Sequence, residues 1–163
     1  MTRGDRFATD DRAVSISVTH VLTIGITTIL VAMLLIAGSS VLEAQTDRSV
    51  DSSLETVGER LASEIDNVDR MENSGADDVR VTADHPRTVS NTGYTVELRE
   101  DCDAPLLDGE TDCVRLSASD VDVVVYVPLA DGVDIDDGSL VSGGTIEIVY
   151  DDTENEITLE EAN

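Results

Sequence analysis

Two cysteines, Cys102 and Cys113, are the residues whose type and spacing come nearest to chemistry. They flank an acidic loop that carries Pro105 and Gly109. Joined as a disulfide, they would close a loop of about 10 residues and contribute about 2–3 kcal/mol by restricting the unfolded chain. A metal pair and a reactive thiol are the alternatives. A zinc site asks for a full set of closely spaced ligands, and His20 and His85 are the only histidines that could join. The disulfide is the preferred expectation. A second cluster, DGVDIDDG at residues 131–138, invites a calcium reading. An EF-hand loop alternates oxygen donors, then needs Gly at the sixth position and Glu at the twelfth. Asp134 and Asp136 alternate, but Gly138 comes one position early and Thr145 stands where Glu is required. Solvated acidic surface is the simpler account. His85 lies between Asp84 and Pro86 without a nucleophile–base order, a phosphate-binding glycine run or a zinc-protease helix motif. No catalytic residue, metal or cofactor is expected.

Composition narrows the partners. The chain has 163 residues, 35 acidic and 10 basic, for a formal net charge of -25, and every basic residue is arginine. That excess repels phosphates, so nucleic acid is excluded as a partner. It also repels itself, which leaves disorder or folding in concentrated salt, where the Debye length shrinks to about 3 Å at 1 M. With 40% hydrophobic residues in ordered patterns, a folded, salt-adapted chain is expected. Acidity without lysine resembles the composition of haloarchaeal proteins.

The elements that position these residues begin with an apolar run. Residues 14–38 contain no Asp, Glu, Lys or Arg, and His20 is the only ionisable side chain. As a helix the run would cover about 37 Å, more than the roughly 30 Å hydrocarbon core of a bilayer. It is too long for the apolar region of a secretory signal. Arg3, Arg6 and Arg12 precede it and only Arg48 follows closely, so a single-pass membrane protein is expected, with a cytoplasmic N-terminus and an extracellular remainder.

Directly before the run stand Asp10, Asp11, Arg12 and Ala13, and the apolar residues start at Val14. A short polar leader, a basic–small pair and an unbroken apolar helix resemble the class III signal peptide of archaeal type IV pilins and pilin-like proteins. The stretch VTHVLTIGITTILVAMLL is similar to an uncharacterised group of haloarchaeal pilin-like proteins. The resemblance implies that a prepilin-type peptidase cuts between Ala13 and Val14, with Arg12 guiding it. It also implies that the retained helix packs among other pilin-like subunits. His20 and Gly25 would then meet a neighbouring helix, although His20 could equally sit as a neutral imidazole near the lipid headgroups. Val18 occupies the fifth mature position, where bacterial pilins usually carry Glu, and the early Pro-Val-Ile of many major haloarchaeal pilins is missing. The first departure leaves the bacterial-style subunit register without support, and the second favours a minor or accessory role. An uncleaved anchor carrying an extracellular binding module is the alternative.

Beyond Gly38, Ser39 and Ser40, which offer a loosening point, Val50, Leu54, Val57, Leu61, Ile65 and Val68 recur at steps of three and four. They share one face of a helix whose other face carries Glu55, Glu59, Asp66 and Asp69. Asn73, Ser74 and Gly75 supply a stop. The stripe could enter a coiled coil, but strand-like alternation follows at residues 79–82, 94–98, 114–116, 121–127, 145–150 and 156–159. The last two suggest a hairpin turning at residues 151–155, and 121–127 suggests a central strand buried on both faces or set against the helix. The expected fold is α+β, a long N-terminal helix laid on one antiparallel sheet of about five strands. Its expected segments are a leader at 1–13, a span at 14–38, an amphipathic helix at 39–75 and an acidic β-domain at 76–163.

Overall fold

The computed structural model describes residues 10–76 and 79–162. One helix, α1, runs from Asp10 to Asn73. It passes through Gly38 and Ser39 without a break, because the backbone ladder continues and Ser39 Oγ donates to the Ile36 carbonyl at 2.9 Å. The helix ends where the sequence says it should. Gly75 takes φ of 95°, its N–H reaches the Glu72 carbonyl at 2.7 Å, and the Ala76 N–H reaches back to Met71. This is a Schellman cap, which a left-handed glycine closes without steric cost.

Eight strands follow: β1 (Val79–Asp84), β2 (Thr88–Val89), β3 (Thr92–Arg99), β4 (Cys113–Ala118), β5 (Val124–Pro128), β6 (Leu140–Ser142), β7 (Thr145–Asp151) and β8 (Glu156–Glu161). They form two antiparallel sheets rather than the single sheet expected. One has the order β1-β7-β8; the other has β2-β3-β4-β5, with β6 also on β3. The division arises because β1 pairs with β7, placing Val79 against Tyr150, instead of with its neighbour in sequence. The fold class is α+β, as expected.

The chain divides into two compact units, Met1–Ala44 and Gln45–Asn163. The amphipathic stretch of α1 therefore belongs with the strands. Val50, Leu54, Val57, Leu61, Ile65 and Val68 are all buried, in one core with Val96, Leu98, Val114, Leu116, Ile146, Ile148 and Ile157. Each such aliphatic side chain contributes about 1.5–3 kcal/mol on full burial. Strict alternation along β3 and β7 delivers one side of each strand to that core. Helix and sheet approach closely at Gly58, where a Cβ would stand 2.6 Å from Val127 Cγ2 and 2.7 Å from Leu116 Cδ1.

The run at residues 121–127 is not a central strand buried on both faces but an edge whose Val127 meets α1 at Gly58, nearer the second alternative. Its structured part, β5, lies at the end of the sheet order and pairs only with β4, and Val124, Val125 and Tyr126 are half-buried. The closing hairpin forms as expected, with Ile148 opposite Leu159 and a turn in which the Asn155 N–H donates to the Asp151 carbonyl at 2.8 Å. On its outer side Glu147 and Glu160 face each other, an unfavourable pair of like charges. Arg80 Nη1 offsets that repulsion by reaching both, at 2.6 and 3.1 Å.

Candidate functional site

In the first unit, Arg12, Ala13 and Val14 lie on the helical backbone of α1, and their side chains fall outside the described residues. From Val18 to Leu42 the apolar side chains are exposed, among them Leu22, Ile29, Leu34 and Ile36. One helix, near the N-terminus, is thus long and apolar enough to cross a membrane. His20 is exposed, and nothing lies within 4 Å of a Cβ built on Gly25. The hydroxyls in this stretch turn inward to their own helix. Thr23, Thr27 and Thr28 each donate to the carbonyl four residues earlier at 2.8 Å. Their polar groups are satisfied without another helix, which is what lipid demands of a spanning segment.

In the second unit, the lower half of α1 is fastened along its length. Ser49 Oγ meets Ser90 Oγ at 2.9 Å on the β2–β3 turn. Glu64 Oε2 lies 3.2 Å from His85 Nε2, and Glu72 Oε1 accepts from the Tyr150 hydroxyl at 3.3 Å. None of these contacts falls on a periodic pattern, and the sequence offered no signal for them. His85 is buried, with its Nδ1 lacking a partner among the described residues.

Cys102 and Cys113 form the expected disulfide, with a Cα–Cα distance of 6.1 Å. Cys113 opens β4, and Cys102 lies in the loop after β3, where its N–H donates to the Thr111 carbonyl at 2.9 Å. The loop carboxylates are unequal. Asp108 is held below its ordinary range, first by the Glu110 N–H and then by the Thr111 hydroxyl. Glu100 is pushed up by desolvation first and then by Asp112, Asp137, Asp101 and Glu156. Nearby, a depression of about 230 Å³ is lined by Arg99, Arg115 and Tyr126. Both arginines are engaged by Glu97, at 3.4 and 2.8 Å.

Residues 131–138 do not close on themselves as a chelating loop. Val133 and Ile135 are buried, and Ile135 bridges to Ile157, so the alternate residues anchor the segment and leave Asp134 and Asp137 in water. Asp134 Oδ2 accepts from Asn155 Nδ2 at 3.3 Å, and Asp137 Oδ1 accepts from the Glu100 N–H at 3.1 Å. Among the described residues no group of three or more metal-ligating side chains converges.

Against known proteins, residues 9–161 match a family described only as a family of unknown function, DUF7266. No curated protein and no solved structure matches the chain.

Proposed function

Since the chain belongs to DUF7266, a family of unknown function, we propose its role from its own residues: a pilin-like structural or accessory subunit of an archaeal type IV pilus-like surface filament. The observation that carries this reading is the division of labour within α1. The helix continues from apolar residues that the chain leaves uncovered to six buried residues that complete a disulfide-closed β-domain. A helix of that kind holds a subunit in the membrane by its first half and supports a domain in the surrounding brine by its second. The leader at residues 1–13, which ends in Arg12 and Ala13 before Val14, and the arginines at positions 3, 6 and 12 would supply the processing site and the cytoplasmic N-terminus. No residue performs chemistry in this role. Prepilin-type peptidase, membrane lipid and sibling subunits are its partners.

A membrane-anchored extracellular binding module is the second reading, favoured by the threonine hydroxyls that already bond within α1 and so ask for no neighbouring helix. The two separate on the mature N-terminus, measured by intact mass and terminal peptide mapping of protein taken from its own membranes. A start at Val14 with the helix retained is expected, and Ala13→Leu should block that processing. A start at Met1 or Thr2 would overturn the filament subunit in favour of the anchored module. A start beyond Gly38 would overturn both.

A further inference from the structure

Tyr126 stands apart from the other aromatic side chains. Tyr94 and Tyr150 are buried, and among the described residues Tyr126 is the one aromatic that is not. Val127 beside it points to Gly58 on α1, so alternation along β5 turns Tyr126 to the opposite face of the sheet. There the register sets it against Arg115, and Arg115 against Glu97. With Arg99, Glu100, Asp101 and Asp103, Arg115 and Tyr126 line the depression of about 230 Å³.

The polar groups around that depression have capacity left over. A guanidinium carries five N–H donors. Glu97 takes one from Arg115 at 2.8 Å, and Arg99 meets Glu97 and Asp137 only at 3.4 and 3.7 Å. Among the described residues nothing donates to the carboxylates of Glu100, Asp101 and Asp103; the bonds of this loop run through its backbone. The Glu100 and Asp101 N–H groups donate to Asp137 Oδ1 and Asp112 Oδ1, each at 3.1 Å, and the Cys102 N–H donates to the Thr111 carbonyl. Next to the disulfide, Asp101 is held at φ of 50°, a left-handed value uncommon outside glycine. The backbone under these carboxylates is therefore fixed in advance, which lowers the cost of binding.

The lining carries both signs, two guanidiniums and three carboxylates. A simple anion would face the carboxylates, and a simple cation would face the guanidiniums. A neutral molecule dense in hydroxyls suits both, because each hydroxyl accepts from one and donates to the other. The Tyr126 ring adds an apolar face whose negative quadrupole attracts C–H groups. A pyranose combines hydroxyls at its rim with C–H groups on its faces. The depression is smaller than a drug-sized site of about 300–1,000 Å³, which leaves room for one ring.

We propose that this depression is a saccharide-binding site: one neutral pyranose ring stacks on Tyr126, and its hydroxyls accept from Arg99 and Arg115 and donate to the carboxylates of the loop at residues 100–103. The site stands whether the chain is a filament subunit or an anchored module, and leader processing does not bear on it.

The test uses the full chain in about 2 M KCl, which mutes long-range repulsion, and in a polyoxyethylene detergent, since sugar-headed detergents would compete. The probes are glucose, galactose, mannose, N-acetylglucosamine and their methyl glycosides, observed by saturation-transfer NMR. At least one should bind with millimolar affinity, its C–H protons on one face saturating most strongly. A methyl glycoside that binds at least as well as its free sugar marks the terminal ring of a glycan as the source; a preference for the free sugar marks a soluble one. Tyr126→Leu should weaken binding about tenfold with unchanged far-ultraviolet circular dichroism. Arg99→Ala, at a side chain 48% exposed, should also weaken it and serves as the test if Tyr126→Leu fails to fold. Leu140→Ser, opposite Glu97 on the same face but outside the depression, should bind as wild type does. Failure of every probe to bind overturns the proposal. So does a folded Tyr126→Leu or Arg99→Ala variant that binds as wild type does. Tighter binding of methyl glucuronide than of every neutral glycoside overturns it as well, since the depression would then be an anion site.

Discussion

Glu64 and His85 form a part-buried clasp between α1 and the segment after β1, with Nε2 3.2 Å from Oε2, the imidazole side chain 1% exposed and the Glu64 side chain 22% exposed. A carboxylate only accepts, so Nε2 carries the shared proton, and Nδ1 is left without a partner. Glu64→Ala should therefore strand the whole ring in the interior and cost about 1–3 kcal/mol. Replacing both partners by apolar groups removes the polar atoms together. Glu64→Ala with His85→Phe should be more stable than Glu64→Ala alone. Urea unfolding of the two variants checks this; a double variant no more stable than Glu64→Ala would refute the clasp.

Gly58 gains nothing for α1 by itself, since Ala at a helix interior is favoured by about 1 kcal/mol. Its value lies in the approach of β4 and β5. Gly58→Ala would press a methyl onto Val127 Cγ2 and Leu116 Cδ1, both on buried side chains. We expect net destabilisation of about 1–3 kcal/mol from overpacking, against the propensity gain. A rise in the urea midpoint would show that the strands give way.

Reduction of Cys102–Cys113 releases a constraint across 11 positions of sequence. The expected cost is about 2–3 kcal/mol, by the entropy of the unfolded chain. Cys102→Ser with Cys113→Ser should match the reduced wild type in urea unfolding. Equal midpoints for oxidised and reduced protein would assign the bridge no stabilising role.

Tyr94 donates its hydroxyl to the Pro86 carbonyl at 2.6 Å, and burial pushes its pKa up to about 12 from the ordinary 10.0 of a tyrosine. The folded state holds this proton more tightly than the unfolded one. Stability from that difference is complete below pH 10 and is lost as pH rises toward 12. Tyr150 is raised in the same direction, by desolvation first and then by Glu72. Tyr94→Phe should shrink the alkaline loss and leave a remainder from Tyr150. An unchanged profile between pH 10 and 12 would exclude Tyr94 as its source.

The elements legible in the sequence are those whose information is local. Six residues from Val50 to Val68 repeat at helical spacing, and all six are buried. The β7–β8 hairpin is legible because alternation and turn chemistry lie within one short stretch. The disulfide follows from two cysteines facing one short loop. Pairing across long separations leaves no such trace. Nothing near Val79 announces Tyr150 as its partner, so two sheets read as one. β2 and β6 are too short to show a period, spanning residues 88–89 and 140–142. Five of the residues from 121 to 127 are Val, a density that suggests burial on both faces. That density does not distinguish an interior strand from an uncharged edge. Contacts such as Glu64 with His85 depend on the completed fold and are invisible beforehand.

The buried stripe of α1 also sets a schedule. Its partners in the core include Ile146, Ile148, Ile157 and Leu159, about 80 residues further along the chain. During synthesis the apolar face from Val50 to Val68 emerges first and waits, at best partly covered by the earlier strands, until the β7–β8 hairpin has been made. Non-local closure of this sort is intrinsically slow. A ribosome that stops before Glu156 releases a chain whose helix shows that face to whatever is near. The β7–β8 hairpin thus acts as a check on progress: a chain cut short of it cannot fully hide its own helix.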